Sequence, residues 1–251
     1  MPRWDDAKQL NASAAGLAVI AAVLLLWGTL AWAARQPVFA FREVVVRGPL
    51  EHVSTTHLEG VVRDELAGTF FTMDLDRARA SLTRVPWVRS VALRRQWPQR
   101  LEVTVEEYAP FARWNEAGLV DAHGVVFIAD YDGELPQFEG PDGRGVEVVA
   151  RFREWGEALA PLALTLESIR LSPRGGWHLV AKGAAGTLAI ELGREEPAAR
   201  LLRFVSVYER TIGALARVGT RIEHVDLRYR NGFAARVPGV RERAPKRKAA
   251  A

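Results

Sequence analysis

From Gln9 to Ala34 the chain carries no charged residue, and Leu10–Ala34 reads LNASAAGLAVIAAVLLLWGTLAWAA. As a helix those 25 residues extend ~37 Å at about 1.5 Å per residue. A bilayer core asks for ~20 residues, whereas the apolar part of a secretory signal runs to only about 7–15. The length predicts an uncleaved transmembrane helix over residues 10–34. Trp27 and Trp32 lie toward its outer end, where amphipathic rings suit a membrane interface. The competing reading is a cleaved signal, for which Ala31-Trp32-Ala33 supplies a small-x-small pattern.

Flanking charge orients the span weakly. Arg3 and Lys8 precede it together with Asp5 and Asp6, and Arg35, Arg42 and Arg47 follow it. Size orients it better. A short N-terminus, residues 1–9, is expected in the cytoplasm, and the bulk of the chain on the outer side of a bacterial inner membrane. With 251 residues and 49% hydrophobic content, that bulk can bury one or two cores. The absence of cysteine excludes disulfides, a thiolate nucleophile and Cys-ligated metals. The formal charge of +4 sits in residues 241–251, which hold five basic side chains and one acid. The excess therefore reads as a solvated basic tail and not as a nucleic-acid face.

Residues 38–107 read as β-α-α-β-β. Phe41–Gly48 is a β-branched strand closed by Gly48-Pro49. Ser54 caps a helix with the stripe Leu58, Val61, Val62 and Leu66, which Ala67-Gly68 stops. Asp74 caps a second helix with Leu75, Ala78 and Leu82 on one face, closed by Pro86. Val91 and Leu93, then Leu101, Val103 and Val105, alternate with polar residues as a half-buried antiparallel hairpin. Residues 108–240 read as a mixed domain built on an antiparallel β-sheet. Phe111–Trp114 and Leu119–Ala129 form a hairpin, and 135–141 is extended. Val146–Leu159 is an amphipathic helix with Val149, Phe152 and Leu159 inward. Strands follow at Leu166–Leu171, Trp177–Ala181 and Thr187–Leu192, then one helix over Pro197–Val218. Ile222–Tyr229 and Phe233–Val237 close the domain as a hairpin around Arg230-Asn231-Gly232. The fold class is α+β behind a transmembrane helix.

No G-x-S-x-G, S-x-x-K, P-loop, G-x-G-x-x-G or H-E-x-x-H occurs. The five histidines are scattered. The adjacent acids Glu106 and Glu107 face opposite ways on a strand, which reads as a strand-end surface and not as a two-carboxylate catalytic pair. No catalytic, cofactor-binding or metal-binding residue is expected. Trp87 and Trp97 flank the hairpin as core packing or, alternatively, as a partner contact. A wall-acting enzyme and a secretion factor are the competing functions. The first lacks an acid–base or nucleophile set. The second is expected to carry a downstream β-barrel, and only the basic tail follows Val240.

Two stretches carry a family likeness. One is Pro86-Trp87-Val88 through Val91, Leu93-Arg94-Arg95-Gln96-Trp97-Pro98, Val105-Glu106-Glu107, Pro110-Phe111-Ala112 and Trp114 to Leu119-Val120-Asp121 and Gly124–Phe127. The other is Val225–Gly232. On these the chain resembles the FtsQ/DivIB division family, and the likeness covers residues 10 to 240. It implies a POTRA domain at 38–107, a β-domain at 108–240 and a non-catalytic role at the septum. It further implies docking of FtsB and FtsL, contacts of other divisome proteins with the POTRA domain, and control of septal peptidoglycan synthesis. No nucleic acid or small-molecule substrate is implied. The implied docking positions are Arg228, Tyr229, Arg230, Asn231, Gly232 and Phe233, beside an edge open to strand addition. On pattern alone Tyr229 reads as core and the arginines as solvated.

Overall fold

The computed structural model describes residues 7–237 apart from 55, 57, 59, 61, 63–67, 218 and 231. The basic tail, most of the N-terminal flank, and Val61, Leu66, Ala67, Val218 and Asn231 lie outside the described residues. The expected span is the helix α1, Ala7–Ala34. Its Leu10–Ala34 portion, 25 residues containing an 18-residue window of mean hydropathy 2.2, is long and apolar enough to cross a membrane. The chain divides between two compact units, one that includes α1 and ends at Tyr108 and one beginning at Ala109.

In the first unit, three strands pair in the order β1-β3-β2: β1 (Glu43–Arg47), β2 (Val88–Gln96) and β3 (Arg100–Glu107). β2 and β3 form the expected antiparallel hairpin, and β1 joins β3 in parallel. The period-2 pattern of β3 buries Leu101, Val103 and Val105, and Leu58, Val62 and Leu82 of the same unit are buried too. The helix α2, Leu75–Leu82, starts at the expected cap, where the Asp74 carboxylate accepts the N–H groups of Asp76 and Arg77 at 3.0 and 3.1 Å. It ends at Leu82, ahead of Pro86. Gly48 closes β1 at φ +140, where a Cβ would lie 2.1 Å from the Val105 carbonyl oxygen, so the close approach of two strands demands glycine.

The second unit is one nine-stranded sheet. Its strands are β4 (Pro110–Trp114), β5 (Gly118–Asp121), β6 (Val126–Phe127), β7 (Gln137–Glu139), β8 (Thr165–Leu171), β9 (Trp177–Gly183), β10 (Gly186–Gly193), β11 (His224–Asp226) and β12 (Ala234–Arg236). The spatial order is β12-β11-β10-β9-β8-β7-β4-β5-β6. Most pairings are antiparallel, but β7 runs parallel to both β4 and β8, and β11 parallel to β10. The stretch read only as extended is thus the joint between two antiparallel ribbons. Helices α3 (Gly145–Leu159) and α4 (Pro197–Tyr208) touch each other, α3 resting on β8 and α4 on β10. Trp155, Phe138, Ile169, Leu179, Ile190 and Phe204 are among the fully buried side chains of the shared core. Val149 and Leu159 are buried as expected, but Trp155 is the deepest ring of α3 and Phe152 is only half-buried. The opposite face of the sheet carries the ion pairs Lys182–Glu167 and Arg170–Glu139 and a hydrogen bond between His178 and Glu191.

Two expectations fail in this unit. The helix over 197–218 is broken. α4 stops at Tyr208 and α5 runs from Ile212 to Arg217. The Thr211 hydroxyl donates to the Val207 carbonyl at 2.8 Å, a local bond that competes with continuation of the helix. Leu202 and Leu215, two of the apolar residues of that segment, face solvent. The terminal hairpin is also shorter than the alternating pattern, because β11 ends at Asp226 and the connection occupies residues 227–233.

Candidate functional site

β12 is one rim of the nine-stranded sheet, and its three residues are all exposed. Its register on β11 pairs His224 with Arg236, Val225 with Ala235 and Asp226 with Ala234. Toward β10, the Glu223 carbonyl accepts from Ala189 N–H at 2.9 Å and Leu227 N–H donates to Glu191 at 2.8 Å. Backbone groups alternate sides along a strand. His224 and Asp226 therefore turn to β12 and engage residues 236 and 234. The N–H and C=O of Ala235 then point outward from the rim, with no strand partner among the described residues.

Beyond β11, Asp226 organises the connection. Its carboxylate accepts the Arg228 backbone N–H at 3.0 Å and the Arg228 guanidinium at 2.9 and 2.8 Å. The hydrogen bond from Arg228 holds the Asp226 carboxyl below the ordinary carboxylate value, against the opposing effect of burial. Arg228 is 58% exposed yet committed to this fork, so its charge is already matched within the chain. The next residue, Tyr229, is 56% exposed and does not join the core, contrary to what its pattern alone predicts. Arg230 is exposed, and its carbonyl accepts from the Arg203 guanidinium of α4 at 2.7 Å. Gly232 is exposed, and Phe233 is half-buried with its ring edge-on to Phe204 at 5.7 Å. Asn231 lies outside the described residues.

Between α4 and the connection runs a groove of about 260 Å³, lined by Arg203, Phe204, Val207, Leu227, Gly232 and Phe233. Arg200 borders it and donates to the Leu192 carbonyl at 2.8 Å. The expected residues thus gather at one end of the sheet, but they divide in role. Tyr229 and Gly232 are presented outward, Phe233 packs inward, and Arg228 and the Arg230 carbonyl are held internally. Sequence reasoning missed Ala235 and Arg203. Alanine in a strand carries no chemical signal, and the Arg200/Arg203 spacing on one helix face could have indicated the second.

Among the described residues no group of three or more His, Cys, Asp or Glu side chains could hold a metal. Glu107 is not the surface carboxylate expected at the end of β3. Its side chain is 7% exposed and accepts the N–H groups of Glu51 and His52, each at 3.2 Å, and of Val53 at 2.9 Å. Trp87 is buried and stacks on His52 at 4.0 Å, whereas Trp97 at the hairpin tip is 69% exposed.

Comparison with known proteins matches both units. Residues 39–108 fit the family model described as a POTRA domain, FtsQ-type, and residues 112–228 the one described as cell division protein FtsQ/DivIB, C-terminal. The cell division protein FtsQ of Burkholderia pseudomallei is 38% identical over 245 residues, covering 95% of this chain and 96% of the relative. That of Nitrosospira multiformis is 37% identical, covering 93% of this chain and 98% of the relative. The Bordetella pertussis protein is 34% identical, with 92% of each covered.

Proposed function

We propose, from the premise that this chain belongs to the FtsQ/DivIB family of cell division proteins, that it is a non-catalytic scaffold docking FtsB, and with it FtsL, on the open rim of β12. Residues 1–9 face the cytoplasm in this reading, and α1 anchors the chain in the inner membrane. The POTRA domain at 38–107 and the β-domain at 108–240 work in the periplasm at the septum. The POTRA domain contacts other division proteins, linking early and late arrivals. Docking at β12 then controls when septal peptidoglycan is made.

One observation carries this reading: a terminal strand whose Ala235 backbone groups point away from its neighbour, flanked by the exposed Tyr229 ring and the α4 groove. An incoming segment would add as a further strand, with main-chain bonds supplying affinity and flanking pockets supplying choice. Tyr229, Gly232 and the mouth of the groove are the surfaces that a guest would touch. Arg228 acts one step back, by fixing the connection through Asp226.

The test is binding of an FtsB-type C-terminal segment to the full chain in detergent. Ala235→Pro removes the outward donor, and an edge strand tolerates proline there. It should abolish capture while thermal unfolding stays nearly unchanged. Tyr229→Ala should weaken capture several-fold, also without unfolding. Unaltered capture by Ala235→Pro would move the docking site off β12.

A further inference from the structure

We propose that the aromatic cluster beside the end of α1 inserts into the headgroup layer of the bilayer that α1 crosses, making the first unit a second, peripheral membrane contact. Phe39, Phe41, Phe70, Phe71 and Trp97 form a linked set of rings, with centroid separations of 5.2 Å for Phe39–Phe71, 5.3 Å for Phe70–Phe71, and 5.8 Å for both Phe41–Phe70 and Phe70–Trp97. Such rings ordinarily seek a core. Here Phe71 is 53% and Trp97 69% exposed, and Val38 beside them is exposed as well.

The cluster is bonded to the end of the span. The Thr69 hydroxyl donates to the carbonyl of Ala34, the last residue of α1, at 2.5 Å. Phe70 N–H donates to the Phe39 carbonyl at 2.8 Å, and the Gln99 side-chain amide donates to the Val38 carbonyl. The 25-residue apolar segment is ~37 Å long against a hydrocarbon core of ~30 Å. Centred in the bilayer, it places Ala34 ~3–4 Å outside the hydrocarbon, within the headgroup layer. The rings tied to Ala34 share that depth, where tryptophan and other amphipathic rings are favoured. The exposed Arg35 and Arg42 flank the cluster, and neither has an ion-pair partner among the described residues, so both can meet lipid phosphate. Membrane continuity through α1 selects a lipid surface over a protein partner as the occupant. Whichever way the span is oriented, the cluster lies at the end of α1 from which the rest of the first unit emerges.

The chain has no cysteine, so single-cysteine spin labels can be placed in the full-length protein. Phe71→Cys, Trp97→Cys, Ile128→Cys and Leu24→Cys would be labelled and reconstituted in phosphatidylethanolamine–phosphatidylglycerol vesicles. Labels at 71 and 97 should favour collision with oxygen over a water-soluble nickel chelate several-fold more than the label at 128. The label at 24 should do so most. A second set carries the label at Val38→Cys with and without the pair Phe71→Ser and Trp97→Ser. The pair should raise nickel access at 38 several-fold, and should leave thermal unfolding unchanged because both rings face out. Labels at 71 and 97 as wet as 128, with 24 still dry, would overturn the proposal. So would labels wet in vesicles but shielded in cells, which would assign the cluster to a protein. A wet label at 24 would remove the span itself, and the proposal with it.

Discussion

One carboxylate pins the turn that follows β1. Burial works against the ionised form of Glu107, but the N–H groups of Val53, Glu51 and His52 and the His52 ring outweigh it, and the carboxyl is held below its ordinary value. The folded chain therefore binds this proton less readily than the unfolded chain does. The resulting stability is full above the ordinary glutamate range and is lost as pH falls through the lower folded value. Glu107→Ala leaves the part-buried Val53 N–H and the exposed Glu51 and His52 N–H groups without their acceptor and should cost about 1–3 kcal/mol at neutral pH. Urea unfolding across the acid range should also be shallower in pH for the variant. Alternation along β3 places Glu107 on the same face as Leu101, Val103 and Val105, and that much is legible. The wrapping of residues 51–53 back over it comes from chain far away in sequence. Tyr229 errs the other way. Its place in an alternating run suggests burial, yet β11 has already ended at Asp226, whose fork to Arg228 redirects the chain.

At the level of elements, local signals worked where the neighbours in sequence are also the neighbours in space. The β2–β3 hairpin, the Asp74 cap and strands β8 to β10 were readable for that reason. β7 was not, since its three residues pair on both sides with strands distant in sequence. The α4–α5 break carries no sequence signal because Thr211 disturbs the helix without the warning of a proline. The two adjacent leucines of α4 offer a test of its facing. Leu201 is buried and Leu202 exposed. Leu201→Ala should cost about 2–5 kcal/mol, whereas Leu202→Lys should stay within about 0.5 kcal/mol, as read by thermal unfolding. Gly48→Ala should lose more than about 1 kcal/mol, since alanine at positive φ would also strike the Val105 carbonyl.

Across the whole molecule, the anchor was the plainest feature of the sequence, because a bilayer sets a length that few other environments require. The strand order of the large sheet was the least plain, since it depends on long-range parallel joins that no short pattern encodes. Each unit keeps a hydrophobic centre of its own. Trp155→Ala, which empties the middle of the second, should cost about 3–5 kcal/mol. Combined with Glu107→Ala in the first, its effect should add within about 0.5 kcal/mol in calorimetry, as for sites that share no partners.

The brevity of β12 has a further consequence. A long bare border on a sheet invites identical molecules to zip together into fibres. Three residues, two of them alanine, offer too little footing for that. Among the described residues, so short a border can stand open among crowded copies of the chain without zipping them together.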